Sequence, residues 1–251
     1  MVRPVARHPY LEFSGPIAFA HRGGTGVHPE NTVAAFDDAV ELGFTYLETD
    51  VHATADGVLV AFHDPDLSRT CGRPGDIASM TWAEVAQARV AGQHSIPTLD
   101  ELLERYPDAR FNIDCKSDEA VAPLASALRR HSCLDRVAIG SFNDLRLRRL
   151  RGDLGPRLCT SLGPAAVSSL VSGVPVPLSG LAAQVPVRQG PIPVVTDAFL
   201  RRAHRRGLQV HVWTIDDPVE IGRLLDLGVD GIMSDDLRAL RDVMKARNLW
   251  N

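Results

Sequence analysis

Short apolar runs of strand length alternate along this chain with stretches whose apolar residues recur at helical spacing and end at glycine, and the alternation continues from Ile17 to the C-terminus. Eight βα units are legible. Their strands are expected at Ile17–His21, Tyr46–Val51, Arg110–Cys115, 136–141, 157–161, 181–185, 208–214 and Gly231–Ser234. In the first helix, Asn31 or Thr32 is placed to cap, Val33, Phe36 and Val40 form an apolar stripe, and Gly43 supplies a stop. In the seventh, Asp217 caps, Pro218 takes the first turn, Ile221, Leu224 and Leu225 face the sheet, and Gly228 terminates. Between Gly163 and Pro193, the prolines at 175, 177, 186, 191 and 193 make the fifth helix and the loop after the sixth strand the least regular part of the pattern.

Between the second strand and a helix starting near Thr98 lies an insert, about residues 64–97, preceded by an Asp56-Gly57 turn and the strand-like VLVAF. It has the makings of a capping lobe. Parallel strands in eight such units fit a closed (β/α)8 barrel, an α/β TIM barrel with a small insert after its second strand, better than an open doubly wound sheet, because no G-x-G-x-x-G turn follows an early strand. A length of 251 residues suits one such barrel domain.

Barrel enzymes place their chemistry where strands end. The expected strand ends carry His21 and Arg22, Glu48 and Asp50, Asp114 and Lys116, His211 and Trp213, and Asp235. Glu48 and Asp50 are two apart on a strand, so they share a face with alpha carbons about 6.6 Å apart. With Asp114 from the next strand they would offer a hard, all-oxygen ligand set suited to magnesium, calcium or manganese rather than zinc; the competing reading is a rim of acids paired with arginines. His21 and His63 are the acid–base candidates, because imidazole exchanges protons near neutrality. His8, His94, His131 and His204 read as solvated or loop residues, while His52 shares the facing of Glu48 and Asp50 and stays unassigned. Arg22 and Lys116 are placed either to hold a phosphodiester anion or to pair with the nearby acids. On the seventh strand His211 and Trp213 face the barrel mouth and Val210 and Val212 the helices. Trp213 would there wall the substrate's carbon skeleton, or simply pack.

Composition narrows the partners. A formal charge of -4 offers no global attraction to nucleic acid or anionic lipid. Only Lys116 and Lys245 are lysines among 27 cationic residues, so a lysine at a candidate site carries information. Four cysteines without a C-x-x-C pair read as reduced thiols, and no apolar stretch reads as a signal peptide or a membrane span, which favours the cytoplasm.

Taken together, AHRGGTGVHPENTVAAF, LETDVHATADGVLVAFHD, IPTLDELL, FNIDCK, HVWTID and DGIMSDD resemble, in order, the signatures of the glycerophosphodiester phosphodiesterases, over about residues 17–236. The resemblance implies one divalent cation, magnesium or calcium with manganese also admissible, on Glu48, Asp50 and Asp114. It makes His21 and His63 the proton-transfer pair, and Arg22 and Lys116 the phosphate holders. It further implies attack by a glycerol hydroxyl on phosphorus, release of an alcohol such as choline or ethanolamine, and hydrolysis of the cyclic phosphate to glycerol 3-phosphate. Two positions depart from the family pattern: Asp114 stands where glutamate is common, and Asp216 where asparagine follows the tryptophan. Alternatives are a lysophospholipase D-type enzyme, whose apolar groove Ile77, Met80 and Trp82 could supply if they are not the core of a short helix; a non-catalytic barrel that keeps the metal; and a Schiff-base aldolase using Lys116.

Overall fold

The computed structural model describes residues 4–250. Its strands are β1 (Ile17–Ala20), β2 (Tyr46–Ala53), β3 (Leu59–Ala61), β4 (Arg110–Cys115), β5 (Val137–Gly140), β6 (Cys159–Thr160), β7 (Ala182–Pro186), β8 (Arg188–Gln189), β9 (Ile192–Pro193), β10 (Gln209–Trp213) and β11 (Gly231–Ser234). Eight of these run parallel in the order β6-β5-β4-β2-β1-β11-β10-β7. The ring closes through a parallel bridge between Ser161 and Ala182, where the Leu162 amide donates to the Ala182 carbonyl at 2.8 Å. This is the expected (β/α)8 barrel, with strand positions close to those read from the apolar runs.

Helices α1 (Val33–Glu41), α2 (Ser68–Cys71), α3 (Trp82–Val85), α4 (Leu99–Arg105), α5 (Val121–Arg130), α6 (Asp144–Leu154), α7 (Pro164–Ser172), α8 (Asp197–Arg205), α9 (Pro218–Leu227) and α10 (Leu237–Ala246) complete the chain. Caps set their ends as expected. The Thr32 hydroxyl accepts from the Ala35 amide, and the Asp217 carboxylate accepts from Val219 and Glu220. One detail of the helix pattern differs: Val40 is 43% exposed, and Ala35 and Ala39 join Phe36 in the buried face of α1 instead. Alanine at those positions lets α1 approach the barrel closely, so the stripe is narrower than three bulky residues imply.

The main core lies between barrel and helices, and Val210 and Val212 belong to it as anticipated. Inside the ring a second cluster of Ile17, Phe19, Tyr46, Ala138, Cys159 and Met233 is plugged by Tyr10 and Leu11 of the N-terminal segment. The Tyr46 hydroxyl donates to the Tyr10 carbonyl at 2.6 Å. His8 secures the plug, accepting from the Tyr10 amide and bonding the Arg157 carbonyl, and so is buried rather than solvated.

β3 pairs antiparallel with the end of β2 and opens the insert. Val60, Phe62, Leu67, Ile77, Val85, Ala88, Val90 and Ile96 form its own small core, against which Met80 and Trp82 pack. Those residues serve short helical turns and line no groove at the barrel mouth. The irregular segment after β6 resolves into α7 and the β8–β9 hairpin. Among the described residues, no helix is long and apolar enough to cross a membrane.

Candidate active site

Register brings the acids together. Parallel pairing of β2 with β4 sets Asp50 opposite Asp114 and Glu48 opposite Asn112, so the three carboxylates share one rim. All three line a cavity of about 570 Å³ together with His21, Lys116 and Trp213, within the usual range for small-molecule sites. Its floor includes Asn112 and Gln184, whose side-chain amide donates to the Asn112 carbonyl oxygen at 2.6 Å.

The turn after β1 is built by close backbone approach. Gly23 has φ +80°, and a Cβ there would sit 2.9 Å from both the Ala35 Cβ and the Phe36 nitrogen. Arg22 itself is left-handed at φ +53°, a conformation that non-glycine residues adopt rarely and mostly where surroundings enforce it. The reward is positional: the Arg22 amide donates to Glu48 Oε2 at 3.0 Å, fixing that carboxylate. The Arg22 guanidinium turns to acids, with Nε 3.2 Å from Asp50 and one terminal nitrogen 3.0 Å from Glu30. Arg69 of the insert bonds Glu30 and Asp64 as well, tying the insert to the rim. Asn31, noted in the sequence only as a cap candidate, donates to Asp50 Oδ2 at 3.1 Å and accepts from the Thr49 hydroxyl at 2.8 Å.

Lys116 Nζ lies 2.9 Å from Asp50 and 2.8 Å from Asp114. Burial works against its charge, but the two carboxylates outweigh it and push the ammonium up to about 12. Asp50 is held below the usual carboxylate range because Lys116 and Arg22 overcome its burial. Glu48, buried and beside the Asp50 charge, is pushed up to about 7. Asp114 Oδ1 is buried with no hydrogen-bond partner.

These features fit a cation ligand set in kind: hard oxygens, an orphaned buried acceptor, and a carboxyl short of positive charge. They are not drawn into a compact cluster, since among the described residues no three His, Cys, Asp or Glu side chains are gathered closely enough to hold an ion. Lys116 supplies the positive charge between Asp50 and Asp114.

The His21 ring bonds Asp235 through Nδ1 at 2.8 Å and has Nε2 3.9 Å from Glu48 Oε2. Burial disfavours its protonation, but Glu48 and Asp235 outweigh that and raise its affinity for the proton. Asp235 was visible in the sequence as an acid after the eighth strand, without a signal linking it to His21. His63, at the end of the strand-like insert segment, bonds Asp64 through Nδ1 at 2.6 Å. It is not among the cavity-lining residues, though its charge is felt at Asp50. His52 bonds the His63 carbonyl at 3.1 Å.

Two further histidines differ from expectation. His211 lies below the mouth, fully buried and outside the cavity, sandwiched between the Gln184 side-chain amide and the Gln209 side-chain oxygen, the latter at 3.1 Å; alternation sets facing, not depth. The His204 side chain on α8 is only 5% exposed and is paired with Asp230 at 2.7 Å, not solvated. Trp213 lines the cavity and meets Phe142 edge-on at 5.7 Å. Asp216 Oδ1 accepts from the Ser234 hydroxyl and the Asp235 and Asp236 amides.

The model of the glycerophosphoryl diester phosphodiesterase family matches residues 21–239. The probable glycerophosphodiester phosphodiesterase 2 of Mycobacterium tuberculosis is 40% identical over 96% of each chain. A crystal structure of a protein assigned to the same family, from Silicibacter pomeroyi, superposes with a TM-score of 0.81 at 26% identity, covering 96% of this chain and 98% of the other. An Oleispira antarctica phosphodiesterase in complex with sn-glycerol-3-phosphate superposes with a TM-score of 0.79 at 25% identity, covering 92% and 97%. With the barrel, the motif order and these matches in agreement, the chain belongs to the glycerophosphoryl diester phosphodiesterase family.

Proposed function

We propose that the protein hydrolyses glycerophosphodiesters to glycerol 3-phosphate and an alcohol, using a divalent cation and two histidines. The observation that carries this reading is the convergence of Glu48, Asp50, Asp114, Lys116 and His21 on one cavity at the barrel mouth. Its small-molecule scope agrees with the product complex of the Oleispira antarctica relative.

Glu48, Asp50 and Asp114 are the residues that would hold magnesium, calcium or manganese, with the unpartnered Asp114 oxygen a ready donor. The bound ion would supply positive charge to the phosphate and to the attacking hydroxyl. Lys116 and Arg22 hold the non-bridging phosphate oxygens, trading part of their present pairing with the acids for the anionic substrate. Asp235 fixes the His21 tautomer so that Nε2 points toward Glu48 and the substrate. His21 protonates the departing alcohol; His63, oriented by Asp64, takes the proton from the attacking hydroxyl and the roles reverse when water opens the cyclic phosphate. Trp213 walls the carbon skeleton. Barrel and insert act as one catalytic unit, joined by Arg69.

The test is release of glycerol 3-phosphate from a panel of glycerophosphodiesters with magnesium, calcium or manganese. Absence of that product from every diester, in each metal, rules the reading out.

A further inference from the structure

Glu30 is shared by two guanidiniums. Its Oε1 accepts from Arg22 at 3.0 Å and from one Arg69 terminal nitrogen at 2.7 Å, and its Oε2 accepts from the other Arg69 terminal nitrogen at 2.8 Å. The Arg69 Nε is engaged elsewhere, donating to Asp64 Oδ2 at 2.5 Å, while Asp64 Oδ1 meets His63 Nδ1 at 2.6 Å. One guanidinium thus joins two rows of contacts that end on groups with separate tasks: Arg22, whose Nε lies 3.2 Å from Asp50, and His63. A planar fork with fixed N–H directions serves both carboxylates at once, which a single ammonium cannot do.

The insert does not need this fork to stay on the barrel. β3 is paired with β2, the Phe62 amide donates to the Asp50 carbonyl at 3.0 Å, and Leu67, buried in the insert's own core, fixes the turn from which Arg69 projects. The Arg69 side chain is itself 50% exposed, and ion pairs in such a setting add little to stability. Its effect falls on the two acids. Burial works against the charges of Glu30 and Asp64, but Arg69, joined by Arg22 at the first and His63 at the second, outweighs it, holding Glu30 below the usual carboxylate range and Asp64 at about 2. Without Arg69, the Glu30 charge would fall wholly on Arg22, and Asp64 would lose the donor that fixes its second oxygen.

We propose that Arg69 is a positioning residue with two effects: it holds Asp64, and through it the His63 ring, and it neutralises Glu30 so that Arg22 can leave that carboxylate for the substrate phosphate. This rests on the diesterase reading above. The two effects fall on different kinetic quantities, since His63 moves a proton and Arg22 binds an anion.

Turnover of glycerophosphocholine and competitive inhibition by glycerol 3-phosphate separate them. Arg69→Ala should lower kcat about 10-fold and weaken glycerol 3-phosphate roughly three- to tenfold, with a thermal midpoint within about 4 °C of wild type. Adding Glu30→Gln, which removes the charge that detains Arg22, should restore the inhibition constant and leave kcat low. Arg69→Lys keeps a cation beside Glu30 in place of the fork; it should hold product affinity near wild type and lose kcat, and it carries the test if Arg69→Ala does not fold. Wild-type kcat in either Arg69 variant overturns the proposal. So does a double variant whose product affinity stays as weak as that of Arg69→Ala, or whose kcat recovers. A wild-type protein that turns over no diester removes the parent reading instead.

Discussion

His21 and Asp235, 214 residues apart, meet at 2.8 Å because β1 and β11 are neighbours in register, with Ala20 beside Ser234. The carboxylate fixes which imidazole nitrogen is left for the substrate. Asp235→Asn should therefore lower kcat by about 10- to 100-fold, less than the 100- to 10,000-fold loss expected for His21→Ala. Steady-state kinetics on folded variants checks the order; an Asp235→Asn enzyme as active as wild type would contradict the dyad.

Asp216 holds Asp235 in turn, and only its Oδ1 is engaged, by three donors. An asparagine carbonyl can accept the same bonds. Asp216→Asn, the family's usual residue, should keep activity within a few-fold, while Asp216→Ala should lose activity in parallel with Asp235→Asn. Equal, wild-type turnover in both variants would show that this clamp does not matter.

Much of this was legible in the sequence. Eight apolar runs marked the barrel strands, and the two-residue spacing of Glu48 and Asp50 put both on the inner face. The βα alternation put Asp114 on the neighbouring strand, but its place directly opposite Asp50 comes from the β2–β4 register. What stayed hidden was set by contacts across the fold. Nothing local ties Asn31 to Asp50, or Asp235 to His21. The proline-rich stretch after β6 obscured α7 and the hairpin, and of the two readings open for Ile77, an apolar groove or the core of a short helical turn, the second holds. The choice between ion pairing and phosphate binding for Lys116 is not an exclusive one: it bridges two acids and still lines the cavity.

Gly23 should not tolerate a side chain. Its positive φ and the 2.9 Å approach of the Phe36 backbone mean that Gly23→Ala must displace α1 or the turn. A loss of roughly 2 kcal/mol is expected, together with lower activity, since the adjacent Arg22 amide fixes Glu48. Denaturant unfolding measures the first; an unchanged midpoint would refute it.

His211 gives stability a pH dependence. Burial pushes its imidazole down to about 4, whereas the unfolded chain takes up a proton near 6.5. The unfolded state binds more protons between those values, so this contribution is favourable above 6.5 and is lost as pH falls toward 4, by roughly 3 kcal/mol in all. A neutral replacement, His211→Gln, should remove that slope. Parallel stability curves for variant and wild type between pH 4 and 7 would contradict it.

The most direct test of the central claim is turnover of glycerophosphocholine by purified protein, stripped with chelator and then resupplied with magnesium, calcium or manganese, for wild type and Asp50→Asn. The account predicts glycerol 3-phosphate release that disappears with the chelator, returns with metal in the wild type, and does not return in the variant. Undiminished turnover after stripping, or full rescue of Asp50→Asn, would contradict it.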